Sequence, residues 1–297
     1  MNTLLVVGGS GQVARALDAL APDFAKVGYK LRRVGRPQFD FVKPQTIDAT
    51  FAEVRPNLVI NAAGWTAVDA AESHPDDAAR ANDTGPARLA ALCADAGVPF
   101  IHISTDYVFD GAKGTPYVET DPPNPICVYG ATKLAGEQRI LACGGKAVIL
   151  RTSWVYAAEG GNFVRTMLSA AQKHDSLRVV ADQRGCPTSA GDLARAVLAV
   201  AEQIASGWRD SYGGVFHAAG TGDTSWHGFA EAIFRSAARF DRPAPTLTPI
   251  TTGEWPTAAR RPADSRLDCG KLNSVFGARL PRWQESLEQV VTEICRR

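Results

Sequence analysis

The opening of the chain constrains the fold more than any other stretch. Four consecutive apolar residues, Leu4-Leu5-Val6-Val7, run straight into Gly8-Gly9-Ser10-Gly11-Gln12-Val13-Ala14 and then into an Ala/Leu-rich segment. A short apolar run with no polar alternation reads as a strand buried on both faces, and residues 12–20 read as a helix. Glycines at 8 and 11, in the pattern GxxGxxA, let the backbone turn tightly and approach a pyrophosphate. The helix N-terminus behind them offers free N–H groups and the positive end of its dipole. A glycine triplet alone is weak evidence, but with this strand before it and this helix after it the segment predicts dinucleotide binding by Gly8, Gly11, Gln12 and Val13.

The pattern then repeats. Apolar runs at 31–34, 58–61, 100–104 and 148–152 alternate with helical stretches at 47–53, 82–95 and 129–142. Alternating strands and helices predict an α/β fold, a Rossmann-type doubly wound parallel sheet. After residue 152 the alternation loosens, and Pro, Gly and Trp recur at 220–226 and 243–262. A smaller C-terminal substrate-binding lobe is expected there. Residues 178–181 and 215–218 still read as buried strands, so the lobe is expected to be interleaved with the sheet. The division is residues 1–155 for the dinucleotide domain, with about 176–220 returning to the sheet, and 156–297 mainly for the lobe.

Charge and cysteine usage exclude several classes. With Lys+Arg 32 against Asp+Glu 31, no global field draws the chain to nucleic acid or an anionic membrane. The six cysteines stand singly, without zinc-ligand spacing, and read as reduced thiols. No metal site is expected from the residues. The first strand begins at Thr3 with no leader before it, and no run of about 18 apolar residues occurs, so a cytoplasmic protein is expected.

The strand ends carry the chemistry. The second strand ends Val34-Gly35-Arg36, where an acid would grip the ribose hydroxyls of NAD. Arg36 instead suits a 2′-phosphate, which points to NADPH with NADH as the alternative, although a lone arginine is as often a solvated charge. Asp40 and Phe41 follow, at the adenine edge or as a turn aspartate and a core phenylalanine. The third strand ends Asn61-Ala62-Ala63-Gly64, whose small residues let a flat ligand lie against the backbone. The fourth ends Ile103-Ser104-Thr105-Asp106, and the next helix opens Tyr129-Gly130-Ala131-Thr132-Lys133. Residues i and i+4 share a helix face. A phenol with an ordinary pKa near ~10 needs help to exchange protons at neutral pH, and the Lys133 ammonium is expected to lower it. Thr105 would orient a substrate carbonyl beside Tyr129. His102 and His217, on apolar strands, read as satisfied core residues, and His74, His174 and His227 carry no readable signal.

These residues together resemble the extended short-chain dehydrogenase/reductase family. The stretches NAAGWTAVDAAE at 61–72, STDYVFD at 104–110, VYGATKLAGE at 128–137, RTSWVY at 151–156, DQRGCPT at 182–188 and RRPADSRL at 260–267 are similar to its dTDP-4-dehydrorhamnose reductase branch. The resemblance covers essentially the whole chain. It implies reduction of a C4 keto group on a dTDP-sugar by NADPH. Tyr129 would be the proton donor, with Lys133 as its partner and ribose anchor. Thr105 and Asp106 would contact the sugar, with Trp154 beside it. Gly11, Gln12 and Val13 would line the pyrophosphate, and Asp40, Phe41, Gly64, Trp65 and Thr66 the rest of the dinucleotide. Arg260 and Arg266 would meet the nucleotide diphosphate, with a structural ion pair as the alternative for each.

The chain departs from the family pattern in three places. Ala14 replaces the third glycine, and Trp65 stands where Tyr or His is more frequent. Ala16 and Gly191 occupy positions where some relatives carry acids that bridge a dimer through Mg2+, so a magnesium-bridged dimer is not expected and monomer or homodimer stays open. Two rivals compete with the reductase reading. A 4,6-dehydratase or 4-epimerase shares the motifs, but here Asp106 is followed by Tyr107 rather than by a glutamate. A catalytically silent regulatory subunit would have no chemical reason to keep Thr105, Tyr129 and Lys133 together.

Overall fold

The computed structural model describes residues 1–297. Strand β1 (Asn2–Val7) shows why an unbroken apolar run was needed. Leu4 and Val6 face one layer, with Ala14 and Leu17 of the helix Gln12–Ala19 and with the helix Ala190–Ala205; Leu5 and Val7 face the other, under Pro44–Val54, Gly85–Asp95 and Val128–Ala142. Period-2 alternation thus divides the apolar run between two cores, and both faces of the sheet are covered.

The sheet contains β1, β2 (Tyr29–Val34), β3 (Leu58–Asn61), β4 (Phe100–Thr105), β5 (Ala147–Thr152) and an edge strand, Gly214–His217. From that edge the order is Gly214–His217, β5, β4, β3, β1, β2, and every pairing is parallel. The chain moves from β1 to β2 on one side and returns to β3 on the other. The crevice beyond the C-terminal ends of β1 and β3 is therefore a topological switch point, where open α/β sheets bind ligands. The register aligns Val7 with Asn61, Asn61 with His102, and Thr105 with Thr152, which brings the motif-bearing strand ends to one edge.

Two sequence expectations require correction. Residues 178–181 do not return to the main sheet: Ser176–Val180 pairs in parallel with Thr246–Ile250 inside the lobe. The reason lies in its pattern, because Ser176 and Arg178 are exposed while Val179 is buried. A half-buried strand of that kind suits a covering ribbon rather than the middle of a doubly covered sheet. Residues 214–217 do join the sheet, beside β5. The helix expected over 82–95 is Gly85–Asp95, preceded by a π-helical turn at Arg80–Thr84. The lobe has its own core, in which Val164, Phe229, Ile233, Trp283 and Leu287 pack from the helices Phe163–Ala171, Trp226–Ala237 and Trp283–Arg296. No helix is long and apolar enough to cross a membrane.

Candidate active site

The loop after β1 is a cradle that side chains would fill. A Cβ on Gly8 would come within 2.9 Å of Ala14 Cβ and 3.1 Å of the Ala62 backbone, and Gly9 sits at φ 49. Gly11 caps the helix Gln12–Ala19 without a side-chain bond, so the N–H groups of Gln12, Val13 and Ala14 point outward unpartnered. That is a fitting anion seat, and the residues present suit a dinucleotide pyrophosphate. Ala14 sits where the third glycine is usual, and its methyl lies fully buried against the sheet. Arg36, at the end of β2, is exposed and makes no ion pair, whereas Arg33 is committed to Gly9 O at 2.6 Å and to Asp18 at 3.2 Å. Asp40 accepts the Val42 N–H at 3.0 Å, a turn role, and Phe41 is buried edge-on against Phe39.

Past β3, Ala62 and Ala63 are half-buried, while Gly64 and Thr66 are exposed. The loop is pinned by Asn82, a residue not singled out from sequence. The π turn at Arg80–Thr84 directs its side chain under the loop, where Oδ1 accepts the Trp65 N–H at 2.8 Å and Nδ2 donates to Trp65 O at 3.1 Å and to Thr132 Oγ1 at 3.2 Å. Single π turns are frequent at functional sites. Trp65 itself donates from Nε1 to Ala67 O.

The helix Val128–Ala142 carries Tyr129 and Lys133 and lies against this region without side-chain spacers. A Cβ on Gly130 would overlap the Tyr107 carbonyl, and one on Gly136 would overlap the Asn82 carbonyl. Gly136→Ala is therefore expected to cost about 1–3 kcal/mol by overpacking and to lower turnover as the helix shifts. Urea unfolding and steady-state rates check this; a variant of unchanged stability would mean that the helix is free to move.

The acid–base geometry differs in sign from the sequence expectation. Burial, opposed by the neighbouring Thr105 hydroxyl, pushes the Tyr129 phenol up to about 12, and burial lowers Lys133 to about 8. The lysine does not pull the phenol down because its Nζ lies elsewhere, 3.1 Å from His102 Nε2 and 2.7 Å from Ile103 O. Both groups are driven toward their neutral forms by the same desolvation. A phenol that keeps its proton is the form a proton donor needs.

Thr105 is buried and bonds the neighbouring carboxylate, Oγ1 to Asp106 Oδ1, at 3.1 Å. Burial raises Asp106 to about 7 against hydrogen bonds from Ser265 and Thr105. Between the ordinary carboxylate range and pH 7 the unfolded chain ionises there while the folded chain holds its proton. Asp106 thus contributes stability that is present at low pH and lost as pH rises to about 7. Asp106→Asn, uncharged and of the same shape, is expected to melt higher than the parent at pH 8, by roughly 1–3 kcal/mol, and to match it at pH 4. Thermal unfolding at the two pH values decides; an equal offset at both would refute the assignment.

The lobe supplies the opposite wall. Trp154 holds φ 47, a left-handed conformation rare for an aromatic residue, and stacks on Trp226 with ring centroids 3.5 Å apart. Gly185 lies against the same indole, leaving no room for a Cβ. Trp226 was not anticipated from sequence. Of the arginines chosen from sequence, Arg260 is exposed and unpaired, whereas Arg266 is clamped by Asp264 at 2.6 and 2.8 Å. The neighbouring Arg261 makes the cross-lobe contact instead, pairing with Asp69 at 2.7 Å beyond the Trp65 loop.

A family profile described as the RmlD substrate binding domain matches residues 1–296. The chain belongs to that family. Its similarity to a dTDP-4-dehydrorhamnose reductase of Sinorhizobium fredii reaches 45% identity over 289 residues, covering 97% of this chain and 96% of the relative. Among solved structures, a dTDP-4-dehydrorhamnose reductase of Clostridium acetobutylicum superposes with a TM-score of 0.89 at 37% identity, covering 98% of both chains. One from Bacillus anthracis, in complex with NADP, gives 0.88 at 33% identity over 98% of this chain and 99% of that one. The match spans the glycine loop after β1 and the C-terminal lobe alike.

Proposed function

We propose that this chain reduces the C4 keto group of dTDP-4-dehydro-β-L-rhamnose to dTDP-L-rhamnose, the last step of dTDP-rhamnose synthesis, with NADPH as reductant. The observation that carries the reading is the placement of the Tyr129 phenol beside the Thr105 hydroxyl at the C-terminal edge of the parallel sheet, in a chain that matches reductases of this name over nearly its full length.

Gly8, Gly11, Gln12 and Val13 would hold the pyrophosphate, Arg36 a 2′-phosphate, and Ala62, Ala63, Gly64, Trp65 and Thr66 the nicotinamide side. Bound NADPH supplies the hydride that reduces C4. Tyr129 gives its proton to the oxygen that becomes the C4 hydroxyl, and Thr105 orients that oxygen by a hydrogen bond. Asp106 borders the sugar through Thr105, and Trp154, braced by Trp226, forms an apolar wall. Of the two arginines expected at the diphosphate, Arg260 is exposed and unpaired and so free to reach it, whereas Arg266 would have to leave Asp264 to do so. Because Ala16 and Gly191 are not acids, neither supplies a carboxylate for a magnesium bridge, and a metal-independent monomer or simple homodimer is the reading they support.

Absorbance of NADPH reports the reaction directly. Stoichiometric oxidation is expected with enzymatically generated dTDP-4-dehydro-L-rhamnose and not with dTDP-4-keto-6-deoxyglucose lacking the epimerisation step. Turnover of sugar without net NADPH loss would instead indicate a dehydratase or epimerase, which returns its hydride.

A further inference from the structure

The helix Val128–Ala142, which carries Tyr129, begins without an oxygen cap of its own. Its N-cap is Cys127, whose thiol accepts the Gly130 N–H at 3.4 Å, and no acid stands in its first turn. Sulfur is a weak acceptor, and the intrahelical ladder starts only with the Ala131 N–H on Cys127 O at 3.0 Å. The first N–H groups of a helix have no partners within it, and the positive end of its dipole gathers there. Tyr129 sits in that turn, so whatever holds the turn also aims the phenol.

The missing acceptor comes from another element. Glu72 lies on the short helix Val68–Ser73, and its Oε1 accepts the Val128 N–H at 2.8 Å. The carboxylate is half-buried and paired with no cation. Its base is fixed from the other direction: Asp69, three residues earlier, accepts the Ala259 N–H at 3.0 Å and pairs with Arg261 at 2.7 Å. Just before the short helix, Trp65 Nε1 donates to Ala67 O at 2.9 Å. Farther along the Tyr129 helix, Gly130 meets the Tyr107 carbonyl and Gly136 the Asn82 carbonyl. Those contacts are repulsive and limit how closely the helix approaches. The Glu72 bond is attractive and directional, and it acts one residue from Tyr129.

We propose that Glu72 is a positioning residue for the reaction: by accepting the Val128 N–H from outside the helix, it fixes the first turn and with it the Tyr129 phenol. The proposal rests on the reading of Tyr129 as proton donor. The seating itself is measured without substrate or dinucleotide, so its failure and the failure of that reading are distinguishable.

Amide hydrogen exchange reports the seating. In the parent, the Val128 amide is expected to exchange at least about tenfold more slowly than an unbonded amide. Glu72→Ala should remove that protection, and Glu72→Gln, whose Oε1 still accepts, should keep most of it. Amides in the helix interior, residues 134–140, should stay protected in all three proteins. Steady-state kinetics report the consequence. At saturating keto sugar, Glu72→Ala is expected to lose about 10- to 100-fold in kcat and Glu72→Gln no more than about threefold, with NADPH affinity within about threefold of the parent in both. A Val128 amide that is unprotected in the parent, or equally protected in Glu72→Ala, overturns the proposal. So does a Glu72→Ala variant with the parental kcat, or one whose loss falls equally on NADPH affinity. Should Glu72→Ala fail to fold, Glu72→Asp, one methylene too short to span the same gap, takes its place with the same expectations. If the exchange results hold while the parent oxidises no NADPH with either sugar, the seating stands and the reductase reading is the one that fails.

Discussion

Replacing Tyr129 by phenylalanine is expected to lower kcat by a factor of about 10²–10⁴ while leaving NADPH affinity nearly unchanged. The change removes one hydroxyl and little else. The ring stays in place, packed edge-on against Tyr107 at 5.4 Å between centroids, and the helix that carries it is fixed by the glycine contacts at 130 and 136 rather than by the phenol. What disappears is the proton that must reach the C4 oxygen as it gains charge, together with the donor that stabilises that charge. Steady-state rates with saturating keto sugar, alongside a fluorescence titration with NADPH, separate the two effects. A Phe variant that turns over at the parental rate would remove Tyr129 from the mechanism, and one that loses NADPH binding in equal measure would make its role one of cofactor retention.

Much of the architecture was legible because it rests on patterns with a single physical reading. An apolar run such as Leu4 to Val7, closed by glycine and followed by a helix, has few other places to go than the centre of a covered parallel sheet. The strand-terminal positions of Asn61 and Thr105 followed from the same reasoning. Residues 178–181 defeated it, since their alternation of exposed and buried side chains fits a two-stranded ribbon equally well. Asn82 was invisible because its role depends on a π turn, for which a single sequence has no periodic signature.

The electrostatics were less legible than the fold. Tyr129 and Lys133 do share a helix face, yet the expected lowering of the phenol fails because desolvation acts on both groups and the lysine is turned toward His102. His102 looked like a core residue, and it is one, but core placement did not reveal that each ring nitrogen has an assigned partner. Arg260 and Arg261 are indistinguishable as letters; only the fold shows that Arg261 is the one facing Asp69.

Removing the Glu137 carboxylate as Glu137→Ala is expected to destabilise the protein by about 3–5 kcal/mol. Glu137 and Arg151 are both almost fully buried, and Glu137 accepts from Arg151 Nε at 3.0 Å, from Nη2 at 2.6 Å and from the Ser104 hydroxyl. The guanidinium also lies 5.1 Å from the centre of the Phe109 ring, and its Nη1 has no hydrogen-bond partner. Without the carboxylate, a full positive charge would remain desolvated with an aromatic face as its main support, and Ser104 would lose its acceptor. The penalty is that of the stranded charge rather than the worth of the pair. It follows that the double variant Glu137→Leu/Arg151→Met should be less destabilised than Glu137→Leu alone, although it removes more polar contacts. Chemical denaturation of the parent, both single variants and the double variant provides the cycle. If the double variant is the least stable of the set, the buried pair is a net source of stability, and the account of it as a charge held safe only by its partner is wrong. Glu137 lies one turn beyond Lys133, and Arg151 stands beside Ser104 across the β4–β5 ladder, so the same cycle read in kcat reports how far this ion pair keeps the Tyr129 helix seated on the strand ends that carry the chemistry.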